Sequence, residues 1–278
     1  MAFTRTLSLG AAILFSTVFG ANAADLYGGM KDPQYVAPMV SAGPSVYLRA
    51  DGSLAFHTID DISIVDQGLV NPPSAISGGN SDIDNGWGVG GGVGMYFGRG
   101  FRGDLTLEYR TSADVSGTAE ATCCTLGTST DVDGVVGLAN LYYDFNRGGR
   151  FMPYLGAGIG FAHLSTGSGT LGCVSACGAN FGDATYGGSS TTNFAVAAMA
   201  GLTVKLRGGQ PVYMGGVKDE PVMVDSGRGL YLDIGYRFLH LGDVETGNAL
   251  QTNGNALNVG WDDMNAHEFR FGLRYDLR

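Results

Sequence analysis

Hydrophobic and polar residues alternate with period two along eight stretches of the chain. The clearest is AHEFRFGLRYDLR, from Ala266 to Arg278. Phe269, Phe271, Leu273, Tyr275 and Leu277 share one parity, while Glu268, Arg270, Gly272, Arg274 and Asp276 share the other. Successive strand side chains point to opposite faces, so this pattern predicts a strand with one aromatic, apolar face and one charged face. A soluble sheet would bury the apolar row under a helix, but no stretch carries a good amphipathic helical pattern. Lipid on one side and a polar lumen on the other satisfies both rows, which predicts a transmembrane β-barrel.

Seven further stretches repeat the pattern: Val46–Phe56, Gly86–Phe97, Phe101–Arg110, Gly134–Phe145, Phe151–His163, Thr191–Leu206 and Gly229–Leu239. Their length suits tilted strands, which need about 9–11 residues to cross a bilayer. Long polar connections (57–85, 111–133, 164–190, 241–265) alternate with short turns (98–100, 146–150). That alternation fits long extracellular loops and short periplasmic turns. One connection departs from it. Residues 207–228 form an insertion on the periplasmic side, where Val212–Met214 and Val222–Val224 can pair as a hairpin too short to cross lipid. Aromatic residues gather at both ends of the strands. Phe56, Trp87, Phe161, Phe238 and Phe269 lie on the loop side, and Phe97, Phe101, Phe145, Phe151 and Tyr275 on the turn side, as two interfacial girdles require. The expected fold is an all-β, eight-stranded, antiparallel, up-and-down transmembrane β-barrel over residues 46–278. A soluble lipocalin-like barrel would place rows of glycine outside and every large residue inside, a poor use of both faces.

The N-terminus adds a location. Arg5 precedes an apolar core from Leu7 to Gly20 and a small-x-small site at Ala21-Asn22-Ala23, which reads as a secretory signal peptide over 1–23. Residues 24–45 carry Pro33, Pro38 and Pro44 with little alternation and read as an extended lead-in. No second run of eighteen apolar residues exists, which excludes a helical membrane protein. A formal net charge of −10 without any basic cluster argues against nucleic acid as a partner. Cys123, Cys124, Cys173 and Cys177 fall in the second and third long loops of an exported chain, so disulfides are expected, with three connectivities open.

The inner parity holds the best-defined constellation of polar groups. Its cations are Arg49, Arg110, Lys205, Arg237, Arg270 and Arg274; its anions are Asp51, Asp104, Glu108, Asp144, Asp233, Glu268 and Asp276. Six against seven is close to balance, so the groups can pair across strands in a lumen just wide enough for side chains. The pattern predicts a salt-bridged plug, with a narrow gated pore as the alternative. The four histidines lie near the extracellular rim on conflicting parities, His57 inner and His163, His240 and His267 outer, so no shared metal site is expected. Loop acids such as Asp60, Asp61, Asp82, Asp84, Asp262 and Asp263 lack a fixed ligand spacing, and the glycine run 90–94 has no helix after it to make a phosphate loop. No catalytic residue and no cofactor is expected.

The chain resembles the opacity-protein and surface-antigen type of eight-stranded outer-membrane barrel found in alphaproteobacteria, and more distantly the OmpA transmembrane domain. The resemblance spans about Val46 to Arg278. Its firmest motif is the terminal assembly signal, a polar residue, a glycine and two apolar positions, here Arg270, Gly272, Tyr275 and Leu277. The chain departs from it in carrying Leu277 where an aromatic is usual and Arg278 beyond. The resemblance implies the outer membrane of a Gram-negative bacterium, engagement of the barrel-assembly machinery, contact with lipid and lipopolysaccharide, and loops available to host or cell-surface ligands. It implies a non-enzymatic structural barrel. A small channel for ions or apolar molecules and a lipid A-modifying enzyme are the alternatives, the latter with only His163 and Ser165 to offer.

Overall fold

A computed structural model describes residues 46–277 except 60, 67–74, 78, 98–99, 121–124, 147–148, 176–182, 209–210, 215–221, 226–227 and 251–255. The expected signal peptide (1–23) and lead-in (24–45) fall outside the described residues. Eight strands form a ring: β1 Val46–Thr58, β2 Gly86–Phe97, β3 Phe101–Glu120, β4 Thr125–Asp144, β5 Phe151–Thr166, β6 Ser189–Arg207, β7 Leu230–Glu245 and β8 Ala256–Asp276. Each pairs antiparallel with the next, and β8 pairs with β1, so within the membrane no sheet edge is left open. Following paired residues round the ring from Tyr47 through Gly94, Asp104, Asn140, Gly158, Ala197, Leu239 and Ala266 returns to β1 at His57, ten residues further on. With ~3.3 Å per residue and ~4.8 Å between strands, that stagger tilts the strands by about 40°.

The two parities separate as expected. Leu105 is 63% exposed and Phe194 65%, and Phe269, Phe271, Leu273 and Tyr275 line the outer face of β8. The alternate positions are buried. The insertion is a separate two-stranded hairpin, Pro211–Met214 with Val222–Asp225, off the ring.

The strands are far longer than the alternation suggested, and the long polar connections are not irregular. β3 and β4 continue well past Arg110 and Gly134 as one hairpin, and β7 and β8 continue past Leu239 and Ala266. Short strands complete the extension: Asp61–Asp66 pairs with β8, Gly79–Ile83 with β3, and Gly169–Ser175 with β4. The amphipathic sense reverses here. Outward positions become Ser112, Asp114, Ser116 and Glu120, while Ile62, Ile64, Val115, Leu171, Leu257, Val259 and Trp261 are buried inside. Water has replaced lipid outside, so apolar residues move to the interior.

Irregularities in three strands make the switch. β3 slips register between Arg110 and Ala113, and β7 slips at Gly242. An extra residue in one strand transfers all later side chains to the other face. On β3 the inner residues change from even numbers, ending at Arg110, to odd numbers from Ala113. The left-handed residues Gly242 and Asp263, at φ 78° and 54°, mark the same change on β7 and β8.

Candidate functional site

The inner positions of the transmembrane ring converge on one buried polar column. Its upper tier surrounds two glutamates. Glu268 is fully buried and accepts hydrogen bonds from Arg110 Nη1 and Arg237 Nε. Glu108 accepts from Arg237 Nη2 at 2.7 Å and from Ser53 Oγ at 3.2 Å, and Arg270 lies 3.4 Å from its second oxygen. In the middle tier Arg49 grips Asp51 with Nε and Nη2, both at 2.7 Å, and reaches Asp104 at 2.6 Å with Nη1. Asp104 also accepts from Tyr47 and Asn140, at 2.9 and 2.8 Å. Forked guanidinium–carboxylate contacts of this kind are the strong, directional sort.

The lower tier is organised differently. Arg102 donates to Asp144 at 3.0 Å and packs 3.9 Å from the Tyr142 ring centroid. Arg274 lies 3.5 Å from Asp233 and between the rings of Tyr47, Tyr96 and Tyr231, at 5.3, 5.7 and 5.0 Å. Arg102 Nη1 and Arg274 Nε and Nη1 have no hydrogen-bond acceptor among the described residues. Arg102 Nη1 lies 3.9 Å from Asp104, and the ring faces, with their negative quadrupole, add to the carboxylates in stabilising both cations. Asp276 closes the column, accepting from Tyr96 Oη at 3.1 Å.

Twelve of the thirteen residues singled out from the sequence are thus buried in this column. Lys205 is the exception: it is half-buried near the C-terminal end of β6 and forms no ion pair with a described residue. Arg102, which is 1% exposed, occupies the sixth cationic place. Sequence reasoning passed over it, although it shares the even parity of Asp104, Glu108 and Arg110 and sits two residues before Asp104. The inner tyrosines were visible by the same parity.

Gly272 of the terminal motif has a packing role. A side chain there would collide with the Asp51 carboxylate across the β1–β8 pair. Arg270 is buried in the column, whereas Tyr275 and Leu277 face outward. His57 caps the upper tier. Its Nε2 accepts from Arg110 Nη2 at 2.9 Å and its Nδ1 donates to the Asp84 carbonyl at 3.1 Å, which requires a neutral ring. A cavity of about 10 Å³, room for roughly one water, lies between His57, Arg110, Leu164, Leu241 and Met264. Above it begins the apolar core of the extension. The outer histidines do not meet. His163 bonds Thr192 at 2.8 Å, His267 bonds Tyr236 at 2.6 Å, and His240 bonds Asn265 at 2.9 Å. Cys173 sits opposite Leu126; Cys123, Cys124 and Cys177 fall outside the described residues.

A closed eight-stranded ring with a lipid-facing belt and a charged interior is the architecture of a small outer-membrane barrel. The sequence profile of the outer membrane protein beta-barrel domain family matches residues 11–276. The chain belongs to that family. Its members' location, the outer membrane of a Gram-negative bacterium, is therefore its own. No curated protein matches the sequence. Among solved structures, Neisserial surface protein A is similar at 15% identity over 85% of this chain and 100% of its own, with a TM-score of 0.42. OprG from Pseudomonas aeruginosa is similar at 14% identity, 83% and 95% coverage and a TM-score of 0.46. Ail of Yersinia pestis, solved with the heparin analogue sucrose octasulfate, shares 10% identity over 84% and 99%, with a TM-score of 0.34.

Proposed function

We propose that this outer-membrane barrel is a non-enzymatic surface protein whose lumen is sealed and whose extracellular extension meets other surfaces. The observation that carries the reading is a two-level seal. Six buried arginines and seven buried carboxylates fill the transmembrane interior, and an apolar core around Trp261, Ile62 and Leu241 fills the extension above. An ion would have to break paired charges and then cross a largely apolar layer. Several kcal/mol per desolvated charge oppose that. The signal peptide over 1–23 and the terminal motif at Arg270, Gly272, Tyr275 and Leu277 support export and handover to the barrel-assembly machinery. The outer belt and the rim aromatics support contact with lipid and lipopolysaccharide. Disulfides among the four cysteines would brace the second and third loops, which the Leu126–Cys173 register already sets side by side. A lipid A-modifying role has little to stand on, since His163 spends its Nδ1 on Thr192 rather than on Ser165.

Single-channel recording of the refolded mature chain in a planar bilayer tests the seal. Absence of steady conductance is expected. Discrete, reproducible openings that change with substitutions at Glu108 or Arg237 would replace the sealed barrel with a gated pore. Adherence of cells displaying the barrel to protein-coated surfaces, compared with cells lacking it, tests the surface-contact role.

A further inference from the structure

The extracellular extension carries a groove on its outer face. Four strands lie side by side there: Gly79–Ile83, the distal part of β3, the start of β4, and Gly169–Ser175. Their registers align two outward rows. One is Asp82, Ser116, Ser129 and Thr170; the other is Asn80, Thr118, Gly127 and Gly172. In the second row the two adjacent glycines carry no side chains of their own, which leaves room for two neighbouring side chains to fold over them. Val174 and Asp183 stand over them as one wall, lying where Cβ atoms on Gly127 and Gly172 would project. The resulting cavity has a volume of about 760 Å³, within the usual range for a ligand site.

The lining sets the ligand's chemistry. Hydroxyls of Ser116, Ser129 and Thr170 and the carboxylates of Asp82 and Asp183 present acceptors, and among the described residues no cation or aromatic ring lines the groove. The wider field agrees. The four extracellular segments, 57–85, 111–133, 164–190 and 241–265, hold five, four, one and four acidic residues, fourteen in all, and not one Lys or Arg. The remainder of the chain carries the other twelve acids and all sixteen Lys and Arg, a surplus of four cations, so the extension generates the entire net charge of −10. A sulfated or phosphorylated ligand would be repelled from such a surface, while a cationic one is steered to it and meets acceptors on arrival. Four strands spaced ~4.8 Å apart give the groove a width that about five extended residues span.

We propose that this groove binds an extended, Lys/Arg-bearing peptide segment of a partner protein, with Asp82 and Asp183 taking its cationic side chains. The proposal rests on the surface-contact reading above and gives it a site and a ligand class. Guanidinium groups suit the two carboxylates because the fork geometry allows paired hydrogen bonds.

The test uses the full mature barrel in nanodiscs and a fluorescein-labelled peptide of alternating Arg and Gly, read by anisotropy. The wild type should bind it with strong salt dependence and should not bind a heparin oligosaccharide. D82N/D183N should weaken binding at least tenfold, and T118K, which places a cation on the groove wall, should abolish it. D243N/D263N removes the same charge outside the groove and should change affinity less than twofold. Equal loss in both double variants would overturn the groove in favour of diffuse attraction, as would absence of peptide binding or capture of heparin. Cell adherence that survives D82N/D183N and T118K would overturn the groove while leaving the surface-contact role standing. Peptide binding by a barrel that confers no adherence would support the groove and remove only that role.

Discussion

Glu268 is the residue on which the upper tier most depends, and substituting it gives the sharpest test of the paired lumen. It is fully buried and joins Arg110 to Arg237. With glutamine there, Glu108 becomes the one carboxylate left to Arg110 and Arg237, and it also serves Arg270, which has Asp51 as well at 3.7 Å. Breaking a buried pair on one side costs about 3–5 kcal/mol, roughly a 150- to 5,000-fold change in the folding equilibrium. The lower part of that range applies to Glu268→Gln. Arg237 keeps Glu108 at 2.7 Å, Arg110 keeps His57 at 2.9 Å, and the amide oxygen still accepts a bond. Glu268→Ala, which also removes the acceptor, belongs near the upper end. The double variant R237M/E268M is the decisive control. It removes a charge of each sign and fills the space with apolar volume, and such replacements are often neutral. It should lie within about 1 kcal/mol of wild type, so that the two changes are coupled rather than additive. Urea titration in lipid vesicles, followed by the gel mobility of the folded barrel, measures these variants together with the singles R237M and E268M that complete the cycle. If Glu268→Gln matches wild type, or if the double variant is as damaged as the singles together, the column is not held by charge pairing.

Other expectations follow from the same geometry. Trp261→Ala empties a fully buried site in the extension, at a cost of about 3–5 kcal/mol. Hydrogen exchange should speed up in 256–262 and 61–66 while the transmembrane strands stay protected. Gly272→Val drives a side chain into the Asp51 carboxylate, so refolding yield should drop and D51A should partly rescue it. Asp262 is pushed above the usual carboxylate range by partial burial and then by the charges of Asp243, Asp61, Asp263 and Glu245. A raised carboxyl binds its proton more tightly in the folded state, so its contribution is present at low pH and is lost as pH rises through its folded value. Exchange protection of 256–262 should therefore weaken as pH climbs above about 4, and Asp262→Asn should flatten that dependence.

How much of this was legible beforehand differs between one face of the wall and the other. The outer face was readable because lipid accepts only apolar side chains, and a strict requirement on every second residue leaves a period-two signal in eight stretches. The inner face was readable as composition. Parity alone assigned Arg49, Glu108, Arg237 and Arg274 to the lumen, and the same rule applied to Arg102 would have included it and would have shown Lys205 to be one cation among seven. The extension was not legible. Its strands read as polar loops because their apolar residues face inward rather than toward lipid, and the bulge after Arg110 interrupts the alternation where the solvent changes from lipid to water.

The sequence by itself determined the number of strands that cross the membrane, which face of the transmembrane wall the alternating side chains take, and the near-balance of charge in the lumen. These depend on local alternation, which each stretch carries independently. Only the tertiary structure decided which carboxylate meets which guanidinium, that Arg274 rests among tyrosine rings, that the loops close over a second core, and that Gly127 and Gly172 come together beneath Val174 and Asp183 at one wall of a groove. Those outcomes depend on the ten-residue stagger around the ring and on the positions of the bulges. Both are set by the packing of all eight strands at once, and no single stretch encodes them.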